Sequence, residues 1–459
     1  MTFSKKLTAA VTALAAVLSS AVSCSGDKKV GQADPTAETT TLTEKGTSGS
    51  SKKAAPSEDM NITWLSDFDL NPVNGSGRST ALALFEDVYG GKINYINAQY
   101  KDRFDVLDSK LAAGEGIDMF PYDTDVFPQG VLSERFDPLD PYYDDMGMSD
   151  GLWDEMSDVI RSFEYKGQHY VVPYALSEPF LLTYSRKLMQ SEGIDDPYTL
   201  YKAGSWNWDT FMQIVDKFRA NQPDAPRYGI NGWFGEAALC SAGAAVVTYD
   251  GTSFANNIND PKLEKAENFM HDIAAKGLYD KTWKGNFPTD LNTLFYAMND
   301  WALAESNRLN PEADLMVVPF PKAPDADKYY GSCKFNARML VKGSTKGAAV
   351  ATYIKCERLA ATDGKIRAAA KDAAIAQGIT AEQFDAIQEY LSPVNITPFF
   401  DYSYGMGEKM YSAGNYNYET RGVINNINSV LLDGGPVDSW EALRGAMSGI
   451  IDGEINNYN

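Results

Sequence analysis

The residues that could do chemistry in this chain favour binding over catalysis. Its 459 residues include 62 acidic side chains but only two histidines, His169 and His271. The sequence therefore offers few candidates for the histidine of a serine–histidine–aspartate triad. The sequence contains no Gly-x-Ser-x-Gly, phosphate-binding loop or paired-histidine metal motif. A glycoside hydrolase needs two opposed carboxylates, and no pair is singled out. We therefore predict no catalytic residue, no metal and no cofactor, with a glycoside-active enzyme as the less favoured alternative.

Aromatic and acidic residues together suggest a surface for a sugar. Aromatic rings cover the apolar C–H faces of a sugar, while Asp, Glu, Asn and Arg side chains bind its hydroxyls in directional pairs. Among the eight tryptophans, Trp233 follows a predicted strand end and a glycine, and we expect it to contact ligand. Trp64 and Trp283 are weaker candidates. The tryptophans beside helical stripes are expected in the core, namely Trp153, Trp206, Trp208 and Trp440.

Acidic residues follow two predicted strands near the start of the folded region. Apolar runs at 62–65, 93–96 and 117–120 alternate with helical stripes, and this order predicts a parallel sheet with covering helices. Ligands of such sheets lie outside the carboxyl ends of the strands. Asp67 follows the first strand and Asp123 the third, so both are predicted to face a ligand. The alternative for each is an ordinary loop or helix-capping acid.

A second αβ region occupies the middle of the chain. Runs at 181–184, 227–230 and 316–318 are predicted strands, and 295–303 is predicted to be helical. From 348 to the end the chain is predicted to be mostly helical. A folded part of roughly 400 residues is too long for one hydrophobic core, so two domains are expected.

The first 60 residues predict export and a lipid anchor. Two lysines precede an apolar run that is too short to span a membrane but fits a signal peptide over 1–23. Cys24 then follows small residues, which resembles the lipobox of bacterial lipoproteins and implies a diacylglycerol on that cysteine. A linker at 24–60 is too poor in large apolar residues to order itself. The alternative is an ordinary secretory signal cleaved near Ser23.

Charge and cysteine content exclude other classes of partner. A net charge of −21 argues against nucleic acid, which selects basic surfaces, and against direct adsorption to anionic lipid. The three cysteines beyond the N-terminal segment, Cys240, Cys333 and Cys356, have no zinc-like spacing. Their odd number allows at most one disulfide, and the pairing stays open.

Six segments together resemble the extracellular solute-binding proteins of ABC-type importers, specifically the group that binds sugars. No segment is specific alone, but their order and spacing agree with one fold. One departure is Tyr184-Ser185, where the family usually has Tyr-Asn. The segments that carry the resemblance are 85–93, 111–120, 136–140, 165–174, 206–211 and 318–321.

The resemblance implies an α/β fold, namely the two-lobe periplasmic-binding-protein-like fold with a central ligand cleft. We predict a first lobe of 61–173 plus about 290–340, and a second lobe of 174–289 plus about 341–459. The implied protein is a monomer that binds a carbohydrate, closes by hinge motion and delivers it to ABC permease subunits. Anchored through Cys24, it would lie on the outer face of the bacterial cytoplasmic membrane. A surface glycan-capture lipoprotein without a transporter is the alternative.

The resemblance also adds candidate ligand residues. Glu178 follows the segment that crosses between the lobes, and Trp301 lies in a segment that resembles the family's helix bearing a cleft ring. Asn336 and Arg338 are expected along the cleft late in the chain. Tyr402 belongs to a ring-rich loop that could close over a sugar, or could instead be a packing patch.

Overall fold

The computed structural model describes residues 59–73, 76–412 and 422–459. The predicted signal peptide at 1–23, Cys24 and nearly all of the linker at 24–60 lie outside the described residues. Within the described ranges, no helix combines the length and apolar character needed to cross a bilayer.

The described chain forms two five-stranded sheets and several short two-stranded ladders. In chain order the strands are β1 Asn61–Ser66, β2 Lys92–Asn97, β3 Met119–Pro121, β4 Phe136–Asp137, β5 Glu164–Tyr165, β6 Gln168–His169, β7 Ala175–Ser177, β8 Phe180–Ser185, β9 Tyr228–Gly232, β10 Val247–Tyr249, β11 Phe254–Asn256, β12 Tyr279–Asp280, β13 Thr293–Asn299, β14 Leu315–Pro319, β15 Tyr330–Gly331, β16 Lys334–Asn336, β17 Arg338–Val341 and β18 Thr397–Pro398.

Helices pack around these sheets, and the prediction of a mostly helical chain beyond residue 348 is confirmed. Asn207 caps one of them, α8, in a reciprocal capping box with Thr210, as its position before a helical stripe indicates. The helices are α1 Thr80–Asp87, α2 Arg103–Ala112, α3 Gln129–Leu132, α4 Tyr143–Met146, α5 Ser157–Arg161, α6 Arg186–Glu192, α7 Pro197–Lys202, α8 Trp208–Asn221, α9 Gly235–Ser241, α10 Pro261–Ala275, α11 Leu303–Leu309, α12 Gly347–Thr362, α13 Gly364–Ala376, α14 Ala381–Tyr390, α15 Val423–Ile427, α16 Val430–Asp433 and α17 Trp440–Ile455.

The first sheet has the strand order β2-β1-β3-β17-β4. β1 runs parallel to β2 and to β3, as predicted for the first αβ region. β17 runs antiparallel to β3 and β4. Ile62, Trp64 and Leu65 of β1 are fully buried, as expected of a strand inside a covered parallel sheet. The carboxyl ends of β1, β2 and β3 therefore meet at one edge.

The second sheet has the strand order β12-β9-β13-β8-β14. β9, β12 and β13 are parallel, and β8 is antiparallel to its neighbours. The prediction of a helix over 295–303 is wrong, because β13 spans Thr293–Asn299 and only a short 3-10 turn and α11 follow it. All but the last residue of β13 are buried. Such a continuous apolar run in a central strand has no period that distinguishes it from a buried helix.

The strand pairing distributes the chain between the two sheets differently from the predicted division into lobes. β13 and β14 belong to the 290–340 segment predicted for the first lobe, but they pair in the second sheet. β17 returns to the first sheet, and α12 packs there, with Tyr353 edge-on to Phe85 at a ring-centroid distance of 5.3 Å. The chain passes between the sheets in β7 and β16, which pair with each other. An apolar run in the sequence does not indicate which sheet the strand joins, so the sequence pattern could not predict how the strands divide between the two sheets.

A cluster of aromatic rings connects the C-terminal segment to both halves of the molecule. Phe163 packs on Phe400 with ring centroids 4.0 Å apart. Tyr402 contacts Phe127 at 5.8 Å and Phe254 at 5.1 Å. The ring-rich loop that carries Phe400 and Tyr402 therefore packs in the interior in this structure.

Glu267 on α10 is an unpaired carboxyl group in the core. It is fully buried, and neither carboxylate oxygen has a hydrogen-bond partner among the described residues. Burial raises the pKa of Glu267 well above its ordinary value. Folded Glu267 thus keeps a proton that the unfolded chain releases above about pH 4.3. The contribution of Glu267 to the free energy of unfolding is therefore fully present below that pH and is lost as pH rises towards the raised pKa.

We expect Glu267→Gln to remove a pH dependence of folding. As pH rises from about 5 towards the raised pKa of folded Glu267, the free energy of unfolding of the wild type should fall relative to Glu267→Gln by up to about 1.4 kcal/mol per pH unit. Urea unfolding at a series of pH values measures this slope. Glu264→Gln, on the exposed side of the same helix, is the matched control and should keep the wild-type slope. Equal slopes for Glu267→Gln and the wild type would contradict the assignment.

Candidate ligand-binding site

The edge of the first sheet presents two of the predicted acids. Asp67 is exposed directly after β1, and Asp123 follows β3 by two residues. The Tyr100 hydroxyl donates to Asp123 Oδ2 at 3.0 Å, and the Thr124 backbone N–H donates to Oδ1 at 2.8 Å. Because β1 and β3 are parallel neighbours, both acids lie at the same edge, as the sequence predicts.

A buried arginine supports this edge and was not found by sequence reasoning. Arg103 binds both carboxylate oxygens of Asp125 at 2.5 and 2.6 Å. Its guanidinium also lies 3.8 Å from the centre of the Tyr100 ring. The Arg103–Asp125 pair therefore fixes Tyr100, which in turn orients the Asp123 carboxylate.

Tyr122, which directly follows β3 and precedes Asp123, adds a hydroxyl group without a hydrogen-bond partner. Its side chain is only 6% exposed, and Oη has no hydrogen-bond partner among the described residues. Burial raises its pKa well above the ordinary value, with further contributions from Asp123, Asp125 and Cys333.

The edge of the second sheet carries a pair of tryptophans. Trp233 follows β9 and is 48% exposed, while Trp283 follows β12 and is 41% exposed. Their rings stack with centroids 4.6 Å apart at an angle of 25°. Gly232 precedes Trp233 with φ +100°, and a Cβ there would lie 2.1 Å from the carbonyl oxygen of Ala297, so the turn that presents Trp233 requires glycine.

Glu178 lies at the same edge, beside a second carboxyl group that sequence reasoning missed. The Glu178 carbonyl accepts a hydrogen bond from Asn299 Nδ2 at 2.6 Å, and its Oε1 lies 3.5 Å from Lys334 Nζ. Asp300 follows β13, and its Oδ1 is buried without a hydrogen-bond partner in the described chain. Burial, with a smaller contribution from Glu178, raises the pKa of Asp300 to about 7.

A concavity is lined by Pro179, the residue after Glu178, and by Ala237 of α9. Its volume is about 400 Å³, including space open to solvent, and Pro179, Phe320 and Cys333 are among its lining residues. Beside it, the Ser332 hydroxyl donates to the Glu236 carboxylate, whose pKa burial raises. Apolar walls and carboxylates thus occur together here.

Three other residues predicted to bind ligand have contacts different from those of the two groups at the sheet edges. Asn336 Nδ2 donates to Ser177 Oγ at 3.0 Å across the β7–β16 crossing. Trp301 is half-buried against a small cluster that includes Phe287 and Met298. Arg338 is buried and forms an ion pair with the equally buried Glu357, at 2.9 Å.

Tyr402 is also a core residue in this structure. It is buried, and its hydroxyl donates to the Glu164 carbonyl oxygen. Of the eight predicted ligand residues, the sheet edges thus bring together Asp67 with Asp123, and Trp233 with Glu178. Asp300 and Trp283 each follow a strand in the structure, but they were missed as strong candidates because neither β12 nor β13 is predicted as a strand from the sequence.

The chain matches one family model and is similar to several solved structures. The family model for bacterial extracellular solute-binding proteins matches residues 80–408. Similar solved structures include an ABC substrate-binding protein of Listeria monocytogenes in complex with cycloalternan, with 15% identity, coverage of 86% of this chain and 99% of that chain, and a TM-score of 0.55. The comparison with curated proteins finds no match.

Two further solved structures have the same fold. The cyclic alpha-maltosyl-1,6-maltose binding protein of Arthrobacter globiformis has 13% identity, coverage of 86% of this chain and 99% of that chain, and a TM-score of 0.58. The galacto-N-biose-/lacto-N-biose I-binding protein of a Bifidobacterium longum ABC transporter, in complex with lacto-N-biose, has 12% identity, coverage of 87% and 97%, and a TM-score of 0.57. At these identities the likeness shows the fold alone.

Proposed function

The chain belongs to the bacterial extracellular solute-binding proteins, and from that premise we propose that it captures a sugar or oligosaccharide in a cleft between two lobes and delivers it to an ABC importer. The first lobe is built on the β2-β1-β3-β17-β4 sheet and the second on the β12-β9-β13-β8-β14 sheet. The paired strands β7 and β16 form part of the hinge, and closure over ligand is a rotation about it.

The observation that carries this proposal is the second-sheet edge. There the exposed Trp233–Trp283 pair lies on the same sheet edge as Glu178 and Asp300. Each of these acids has one buried carboxylate oxygen without a hydrogen bond among the described residues, and that of Glu178 lies 3.5 Å from Lys334 Nζ. Indole rings suit the apolar face of a pyranose, and carboxylate oxygens accept bonds from its hydroxyls. Unsatisfied buried oxygens are costly unless a ligand or water pairs with them.

Similar structures support the carbohydrate class. The three proteins compared above are named or crystallised with carbohydrate ligands. Their identity to this chain is low, so they support a class of ligand and leave the individual sugar to experiment. A surface glycan-capture protein working without a permease remains the alternative function, and neighbouring genes for two permease subunits would favour the importer.

A carbohydrate panel tests the binding proposal. A sugar that binds only the folded state raises the melting temperature, by an amount that grows with its concentration. We expect at least one sugar to do so, and chromatography of the same mixture to recover it unchanged. Released product would favour the glycoside-active alternative, and no shift with any sugar would contradict carbohydrate binding.

We expect Cys24 to hold the mature protein at the membrane. The motivation is the signal-like segment that precedes it, because a lipid chain adds about 0.8 kcal/mol of membrane affinity per buried CH₂ group. Mass spectrometry of membrane-extracted protein should show a diacylglyceryl mass on Cys24. Cys24→Ala should leave the membrane fraction, whereas the control Cys333→Ala should stay in it. Recovery of both variants in the membrane fraction would contradict the anchor.

A further inference from the structure

Four side chains of the candidate site lie at the ends of neighbouring strands of the second sheet. Trp283 follows β12, Trp233 follows β9 and Asp300 follows β13, and these three strands are parallel. Glu178 precedes β8, which runs antiparallel to β13 with Phe180 opposite Asn299, so Glu178 lies at the same edge. The strand order β12-β9-β13-β8 separates the first group from the last by three inter-strand spacings, roughly 14 Å.

Trp283 is held at the outer end of this row by its own chain. Asn231 on β9 is buried, and its Nδ2 donates to the carbonyl oxygens of Asp280 and Thr282, each at 2.8 Å. These bonds tie the segment directly before Trp283 to β9. The stacking of Trp283 on Trp233 is therefore a positioned feature of the sheet edge, and Trp283 still leaves 41% of its surface exposed.

The chemistry changes along the row. Its outer end offers apolar indole surface, and its inner end offers the carboxylates of Glu178 and Asp300. One sugar ring is too short to contact both ends across roughly 14 Å, whereas a chain of linked sugars presents a ring face to the tryptophans and hydroxyls to the carboxylates together.

Resting on the proposed carbohydrate function, we propose that the ligand is an oligosaccharide rather than a monosaccharide and that Trp283 determines this length preference. An outer sugar unit packs on the Trp283–Trp233 pair while an inner unit bonds to Glu178 and Asp300. A monosaccharide engages the inner end alone and gains nothing from Trp283.

The test is a length series with Trp283 variants. Mono-, di-, tri- and tetrasaccharides of glucose, galactose, mannose and xylose serve as probes, first by melting shift and then by calorimetric titration. For the best series, affinity of the wild type should rise at least about tenfold from the monosaccharide to the trisaccharide. Trp283→Ala should lose about tenfold in trisaccharide affinity and less than about twofold in monosaccharide affinity. Trp283→Phe should retain most of the gain.

The outcomes separate this inference from the proposed function. Trp283 is 41% exposed, so Trp283→Ala should keep the melting temperature of the unliganded protein, and that result confirms that the variant is folded. Equal affinity for the monosaccharide and the trisaccharide would overturn the inference while leaving sugar binding intact. Trisaccharide affinity of Trp283→Ala equal to that of the wild type would also overturn the inference. If that variant still bound the trisaccharide normally but supported less sugar uptake, the Trp283–Trp233 pair would contact a permease and not the ligand. If no probe binds, the carbohydrate function itself fails.

Discussion

Trp233→Ala is expected to weaken carbohydrate binding by about thirtyfold or more, with little change in the melting temperature of the unliganded protein. Removing a ring that anchors a ligand costs about 2 kcal/mol or more. Trp233 is 48% exposed, so its loss opens little space in the core. Its backbone N–H also donates to the Ala297 carbonyl oxygen at 3.2 Å, which holds the turn in place without the indole. Calorimetric titration and a melting curve of the same preparation measure both quantities.

Two other tryptophans provide the matched controls. Trp206 is fully buried, and its Nε1 donates to the Pro319 carbonyl oxygen at 2.8 Å, so Trp206→Ala should lower stability by about 3–5 kcal/mol. Trp301→Ala tests the second ring predicted from the sequence. Its half-buried contact with the Phe287 cluster predicts a lower melting temperature as well. If Trp233→Ala and Trp301→Ala both bind like the wild type, the ring platform lies elsewhere.

Arg338→Ala is expected to lower the free energy of unfolding by about 3–5 kcal/mol, because it leaves Glu357 buried and unpaired. Arg338 Nη2 bonds to Glu357 Oε1 at 2.9 Å. The guanidinium also lies 5.1 Å from the Trp64 ring centre and 5.2 Å from that of Tyr174. Urea unfolding measures the loss, and ligand affinity in the protein that remains folded should be close to that of the wild type.

The control replaces both charges together. In Arg338→Met with Glu357→Leu, neither partner is left as an isolated charge, so the double variant should be considerably more stable than Arg338→Ala. Wild-type stability of Arg338→Ala combined with lost ligand affinity would reverse this conclusion. It would show that Arg338 contacts ligand, as the family resemblance implies.

Local sequence patterns predicted the elements better than their partners. Asn207 and the apolar stripe after it identified α8 with its cap, because both signals act within one turn of helix. β13 was mistaken for a helix because a central strand is buried on both faces and loses its alternation. Its placement in the second sheet depends on pairing with β8 and β9, which no local pattern of the 290–340 segment encodes.

The candidate site was predictable where a single strand end defines it. Asp123 and Trp233 follow directly from the rule that ligands lie at the carboxyl ends of parallel strands. The contact between Trp283 and Trp233 could not be predicted in this way, because it depends on the pairing of β12 with β9. Arg338 and Tyr402 were predicted as ligand residues from their position in the chain, but their surroundings depend on Glu357 and Glu164, which are distant in sequence.

Small-angle scattering with and without saturating carbohydrate tests the central claim most directly. The account places the sugar between the lobes, so binding should draw the lobes together and lower the radius of gyration relative to the unliganded protein. The carbohydrate should be the one that raises the melting temperature, and Trp233→Ala at the same sugar concentration should show a smaller change. A radius of gyration that stays the same at proven saturation would contradict binding by closure of an interlobe cleft.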